Sequence, residues 1–320
     1  MPMRALLLSL LLATPAAADT ASAVTDVIRP AYAAFATATQ ALAAQDTCDA
    51  ETLKPAFNAA FDAWMAVSHL RLGPAEDDGR AVAILFWPDT KGLGAKAQRG
   101  LLTGDPAALT PAAFAQQSVA ARGLMGLERL LYPAKTPPAD PCPLIHATAA
   151  DLARMATEIA TGWGLFGDAL ITAGQAGNTA YLKADEATQA LFTQLATGLD
   201  TLADTRIGRP LGTFDKPRPD WAEAIASGRS LRNITLQLTA LRTLTASLSP
   251  DSAKTLAAFD HALDLAGKLD DPALQGVATP QGRLKVEILQ QAIRAIHDLV
   301  VAEVGPALGV SLGFNAADGD

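Results

Sequence analysis

Apolar residues recur at three- and four-residue spacing through almost the whole chain, and no stretch of useful length alternates with period two. That pattern commits the 320 residues to helices and excludes a fold built on sheets. Half of the residues are hydrophobic but only 5% are aromatic, so the core must be made of Ala, Leu, Val and Ile. Side chains that small suit closely packed helices. The spacing predicts helices over 23–45, 49–69, 91–102, 144–172, 185–205, 220–248, 252–268 and 280–308, with another from Thr110-Pro111 to Leu131. The GQAGN stretch, 174–178, divides them into two groups, each suited to a four-helix bundle. The expected organisation is therefore all-α: an N-terminal bundle over 19–177 and a C-terminal bundle over 178–320.

One helical stretch is unusual. In GLMGLERLLY, Gly123 to Tyr132, the apolar arc carries two glycines three residues apart. Gly costs a helix about 1 kcal/mol relative to Ala. Two on one packing face imply that a backbone or a ligand comes close. Glu128 lies at the edge of that arc, near Met125, Arg129 and Tyr132. Such a carboxylate is either neutralised, for example by Arg129 or a neighbouring helix, or used.

The first 18 residues read as an export signal. Arg4 gives a positive start, Ala5 to Leu12 an apolar stretch, and Ala16-Ala17-Ala18 a cleavage site. No cysteine follows the apolar stretch, so no lipid anchor is expected, and no later run is long and apolar enough to span a membrane. The chain is predicted to be periplasmic or otherwise exported. The net charge of −8 argues against a nucleic-acid partner. Cys48 and Cys142 are the two cysteines, and in an oxidising compartment one pair most simply forms one disulfide. No CxxC spacing or nearby His supports a thiolate metal site.

The remaining candidates are sparse. His69, His146, His261 and His297 form no HExxH or comparable zinc signature and suit surface positions or helix ends. In SGRSLRNI, Ser227, Ser230 and Asn233 lie three apart and form a polar stripe, which also fits a helix start capped by Ser. The terminal GFNAADGD has acidic residues without the spacing of an EF-hand loop. Phosphate loops, GxSxG and GxGxxG are lacking.

Taken in order, the signal segment, Trp64 leading into RLGP, the WPD turn, GLMGLERLLY, the RPLG break, SGRSLRNI and GFNAADGD resemble the imelysin family of insulin-cleaving or iron-regulated envelope proteins. The resemblance implies two four-helix bundles related by approximate duplication, with a ligand cleft between them. It implies a periplasmic binding or accessory role in iron or other metal uptake, with envelope uptake components as partners and a metal ion or small ligand as cargo. It places Gly123, Met125, Glu128, Arg129, Tyr132, Ser227, Ser230 and Asn233 at the cleft, with Glu128 as the metal ligand. The cofactor is left open, with iron or copper as the metal candidates.

The family motif is G-x-H-x-x-E. Gly123 and Glu128 match its ends, but Met125 stands where the His belongs. A thioether is a soft ligand and cannot act as a base. A catalytic zinc needs about three protein ligands, and the sequence does not assemble three. Peptidase activity is therefore not expected, although metallopeptidase remains an alternative to binding, as does a structural or interaction module without metal.

Overall fold

The structure, a computed structural model, describes residues 20–312. The signal segment and the terminal GFNAADGD lie outside the described residues. Among those described there is no strand, only an isolated bridge between Thr213 and Lys216. None of the described helices is long and apolar enough to cross a membrane.

The principal helices are α1 (Arg29–Ala43), α2 (Ala50–Met65), α3 (Arg80–Ile84), α4 (Leu93–Thr103), α5 (Gly123–Leu131), α6 (Cys142–Ile171), α7 (Ala184–Asp200), α8 (Ser230–Leu248), α9 (Ala253–Gly267) and α10 (Pro280–Leu299). Sequence chemistry accounts for their limits. Asp49 caps α2 by accepting a bond from the Thr52 amide at 2.8 Å. The predicted stripe Leu53, Phe57, Phe61 and Trp64 is the buried face of that helix. Thr279 caps α10 in the same way, and Pro280 occupies its first position, where no amide donor is needed.

α1 packs on α2 and α6. In the second half, α8 packs on α9 and α9 on α10, while α7 lies against α8 and α10. The halves meet where α8 touches α2, and α5 packs against α2 and α6 beside that junction. Cys48 and Cys142 form a disulfide that ties the α1–α2 turn to the start of α6.

Two expected helices start later than their periodicity suggests. The run from Thr110 to Leu131 is interrupted: a short turn of helix covers Pro111–Phe114, a 3₁₀ turn covers Val119–Ala121, and α5 begins only at Gly123. Gly123 takes a φ of +64°, and a Cβ there would overlap the carbonyl oxygens of Ala83 and Ile84. The first glycine thus lets the chain turn into α5 against another backbone, at a φ that L side chains rarely adopt and with no room for a Cβ. The helix expected over 220–248 begins at Ser230, after a 3₁₀ turn at Pro219–Trp221 and a left-handed Ala224.

Candidate functional site

Among the described residues, three wider turns of π-helix interrupt the α-geometry, and one of them, Thr201–Ile207, extends α7. A π-turn breaks the 3.6-residue register and often marks a functional position. Here it turns Arg206 inward, where its side chain is 6% exposed. Arg206 forms an ion pair with Glu223, and Glu223 also accepts a bond from Asn233 Nδ2 at 2.8 Å. Ser230 Oγ donates to the Glu223 carbonyl.

Glu128 makes a second connection between the halves. Its Oε1 accepts from the Ser227 amide at 2.9 Å and from Ser227 Oγ at 2.6 Å. Burial pushes the Glu128 carboxyl above the ordinary range; the two Ser227 bonds oppose that shift, and neighbouring Glu223 adds to it. Ser227 lies in the turn before α8, so it is not one stripe with Ser230 and Asn233 on a helix. Arg129 does not neutralise Glu128 through an ion pair. Its guanidinium donates to Gln98 Oε1 at 3.1 Å and to the Ala120 carbonyl at 2.6 Å. Gln98 in turn donates to the Gly126 carbonyl at 2.8 Å, so Gly126 packs tightly among α4 and the turn before α5. Tyr132 rests on Phe57, with its hydroxyl 3.5 Å from Asn58 Nδ2. Met125 is buried in the core.

A third connection crosses the junction at Arg229. This buried guanidinium donates to Asn58 Oδ1 at 2.7 Å, pairs with Asp62, and lies over the Phe61 ring at 4.7 Å. Glu128 with Ser227, Tyr132 with Asn58, and Arg229 with Asn58 and Asp62 thus form a polar seam between α2, α5 and the start of α8, while Met125 stays in the core and Arg129 turns to Gln98 and Ala120.

Beside that seam lies a cavity of about 400 Å³. On one side it is lined by Trp64, by Ser68, His69 and Arg71 from the turn after α2, and by Leu85 and Trp87. On the other are Thr193, Gln194 and Thr197 of α7, Thr201 and Arg206 of the π-turn, and Gln237 of α8. Neither Glu128 nor Met125 lines it. Four of its wall residues carry a buried polar atom with no hydrogen-bond partner: Trp64 Nε1, His69 Nδ1, Arg206 Nε and Gln237 Oε1. All four residues are at least nine-tenths buried. Leaving such an atom unpaired costs about 1–3 kcal/mol; each exposes less than 1 Å², so all four are sealed within the wall, and other atoms of the same residues face the void. Burial pulls the His69 imidazole down to about 4, so it is neutral at pH 7.

Sequence reasoning missed this wall. In sequence His69 reads as a surface or helix-end residue, and Trp64 as the residue leading into RLGP. Arg206 and Gln237 carry no sequence signal, because nothing in a periodic apolar pattern announces a π-turn. The regular Thr193, Thr197, Thr201 spacing is the one trace that was readable: it puts a hydroxyl stripe on a single helix face. The hydroxyls of Thr193 and Thr197 each donate back to a carbonyl four residues earlier.

Among the described residues, one group of three His, Cys, Asp or Glu side chains has ligand atoms close enough to share a metal: Cys48, Cys142 and His146. His146 Nε2 lies 3.1 Å from Cys48 Sγ, so a His does stand beside the cysteine pair, four residues after Cys142, contrary to the expectation from sequence. Both sulfurs are joined in the disulfide, which leaves His146 as the single free donor. Glu128 belongs to no such group. The donor set around it does not fit a transition-metal centre.

The family model described as Imelysin matches residues 24–300. "Iron-regulated protein A" of Synechococcus elongatus is 25% identical over 312 residues, which cover 88% of this chain and 84% of the relative. The solved structure of an imelysin-like protein from Psychrobacter arcticum 273-4 superposes with a TM-score of 0.78 at 22% identity, covering 93% of this chain and 99% of that one. A second, from Parabacteroides distasonis ATCC 8503 and provisionally described as an iron-regulated protein A precursor, gives a TM-score of 0.61 at 14% identity, covering 90% and 96%.

Proposed function

The chain belongs to the imelysin family, and on that premise we propose that it is an exported, non-catalytic binding protein of iron handling that holds a small ligand in the cavity between its two groups of helices. The observation that carries this reading is the cavity of about 400 Å³ walled by Trp64, His69, Thr193, Thr197, Arg206 and Gln237 from both groups of helices. Iron belongs to the reading through the iron-regulated relative. It enters as cargo rather than as a resident catalytic ion.

Glu128 supports the reading as a tie, not as a ligand. Its Oε1 is occupied by two Ser227 donors, and Met125 supplies no imidazole beside it. A hydrolytic metal would need about three protein ligands with an open position. The nearest chemically suitable set, around Cys48, belongs to a different part of the surface and is closed by its disulfide.

The test is native mass spectrometry combined with elemental analysis on protein purified from its own source. We expect one small ligand per chain, retained in Glu128→Gln and depleted in Gln237→Leu. Stoichiometric metal that disappears in Glu128→Gln would replace this reading with a metal site on α5.

A further inference from the structure

One cluster of ligating side chains plays no part in the cavity. Cys142 opens α6 and His146 follows four residues later, so both side chains leave the same face of the helix. The α1–α2 turn brings Cys48 against them. Asp49, the next residue, holds that turn by accepting from the Thr52 amide and hydroxyl. On the other side Asp140 accepts from the Cys142 amide at 3.0 Å. One ligand atom from each of Cys48, Cys142 and His146 lies within 4.8 Å of the other two. His146 Nε2 is the nitrogen nearest Cys48 Sγ, at 3.1 Å. A neutral imidazole with its proton on Nδ1 turns the Nε2 lone pair toward the sulfurs. Both cysteines are half-buried rather than sealed in the core, so a reductant reaches them. None of the three residues lines the cavity.

We infer that reduction of the Cys48–Cys142 disulfide opens a metal site in which both thiolates and His146 Nε2 bind one thiophilic ion, zinc or cuprous copper. An external dithiol supplies the reduction. Its two electrons and two protons pass to Cys48 and Cys142, the S–S bond breaks, and the dithiol closes into its own disulfide. The ion then displaces both thiol protons to solvent. Two sulfurs and one imidazole suit soft and borderline ions. They also supply three protein ligands, the number that leaves a tetrahedral zinc one open position. The set holds no oxygen and so does not suit hard cations. An ion held by both thiolates closes the same loop as the disulfide, between residues 94 apart in sequence. It therefore returns much of the stability that reduction removes. The pair alternates between two cross-links, one covalent and one through the metal.

Metal titration of the full mature chain tests this. The chain is reduced without oxygen by a water-soluble phosphine, which takes up the oxygen of one water and leaves both thiols. Zinc and cuprous ion are each titrated against a chromophoric chelator, with the oxidised chain as reference. The reduced chain binds one ion more than the oxidised chain and regains most of the melting temperature lost on reduction. Cobaltous ion, a spectroscopic stand-in for zinc, shows thiolate charge-transfer absorption in the reduced chain only. Cys142→Ser abolishes the extra ion. His146→Gln weakens it by at least about tenfold, because a direct ligand is lost, and leaves the melting temperature of the reduced, metal-free chain unchanged. The tighter of the two ions identifies the occupant, and either ranking supports the inference.

If the reduced, metal-free chain unfolds, the same ions are added to it and circular dichroism reads refolding, expected in the wild type and lost in His146→Gln. Two results overturn the inference. One is a reduced chain that binds neither ion beyond the oxidised chain, or refolds with neither. The other is extra binding that His146→Gln leaves unchanged, which makes the cysteines an ordinary dithiol and His146 a bystander.

Discussion

His69 is the residue whose environment makes the clearest demand. Its ring is buried with Nδ1 unpartnered, and its folded pKa of about 4 lies below the ordinary 6.5. Between those values the unfolded chain binds more protons than the folded one. The stability this group contributes is therefore complete above pH 6.5 and is lost as pH falls through the window down to 4. At about 1.4 kcal/mol per pKa unit, the loss is about 3 kcal/mol. Denaturant titrations across that range should show His69→Leu with a flatter acid limb than wild type; parallel curves would contradict the assignment. Glu128 has the opposite sign. Its carboxyl is raised, so its contribution falls as pH rises just above the ordinary carboxylate range. Glu128→Gln should therefore cost little at pH 7, because an amide oxygen still accepts from Ser227. Glu128→Ala should cost about 1–3 kcal/mol by stranding the Ser227 donors. At this scale the sequence offered half of the answer. The motif pointed to Glu128 and the SGRSLRNI stretch to Ser227, and the two are hydrogen-bonded. Neither could point to Trp64, His69, Arg206 and Gln237, which come from three separate segments, the end of α2 with its following turn, the π-turn and α8, and are brought together by tertiary packing.

Helix starts decide where those side chains stand. Gly123 opens α5 in the left-handed region with two carbonyls where a Cβ would sit. Gly123→Ala should cost at least about 3 kcal/mol, through backbone strain together with overlap, and should pull Glu128 off Ser227. A thermal melt checks the first effect. A near-neutral melt would mean that α5 can start elsewhere. The disulfide acts between elements too, closing a loop of 94 residues from the α1–α2 turn to the head of α6. Its loss in Cys48→Ser should cost about 4–5 kcal/mol on the chain-entropy account. Apolar spacing located nearly every helix body, since burial of one face is what the spacing encodes. It overran the starts of α5 and α8, where a positive φ interrupts a pattern that remains apolar on both sides. It was silent on the π-turn after α7, because one extra residue in a turn leaves the composition unchanged.

At the scale of the whole molecule, the halves are joined by charge pairs set among apolar contacts. Arg229 reaches across to Asp62 and Asn58 while almost wholly buried. Removing the partner charge in Asp62→Asn leaves that guanidinium buried beside Arg232, at a cost of about 2 kcal/mol, less than a fully buried pair because Asp62 is partly exposed. Equilibrium unfolding measures it, and an unchanged midpoint would show that the junction does not depend on the pair. The low aromatic content and helical periodicity made an all-helical molecule legible before any coordinates. The cavity was not legible, since a void between two helical groups is a property of how they dock. The central claim is that this void is a ligand site, and a crystal structure of protein purified from its own source tests it most directly. The account predicts continuous density from a small molecule in the cavity lined by Trp64, His69, Arg206 and Gln237. A cavity holding water alone, with ligand or metal density on Glu128 or elsewhere, would contradict it.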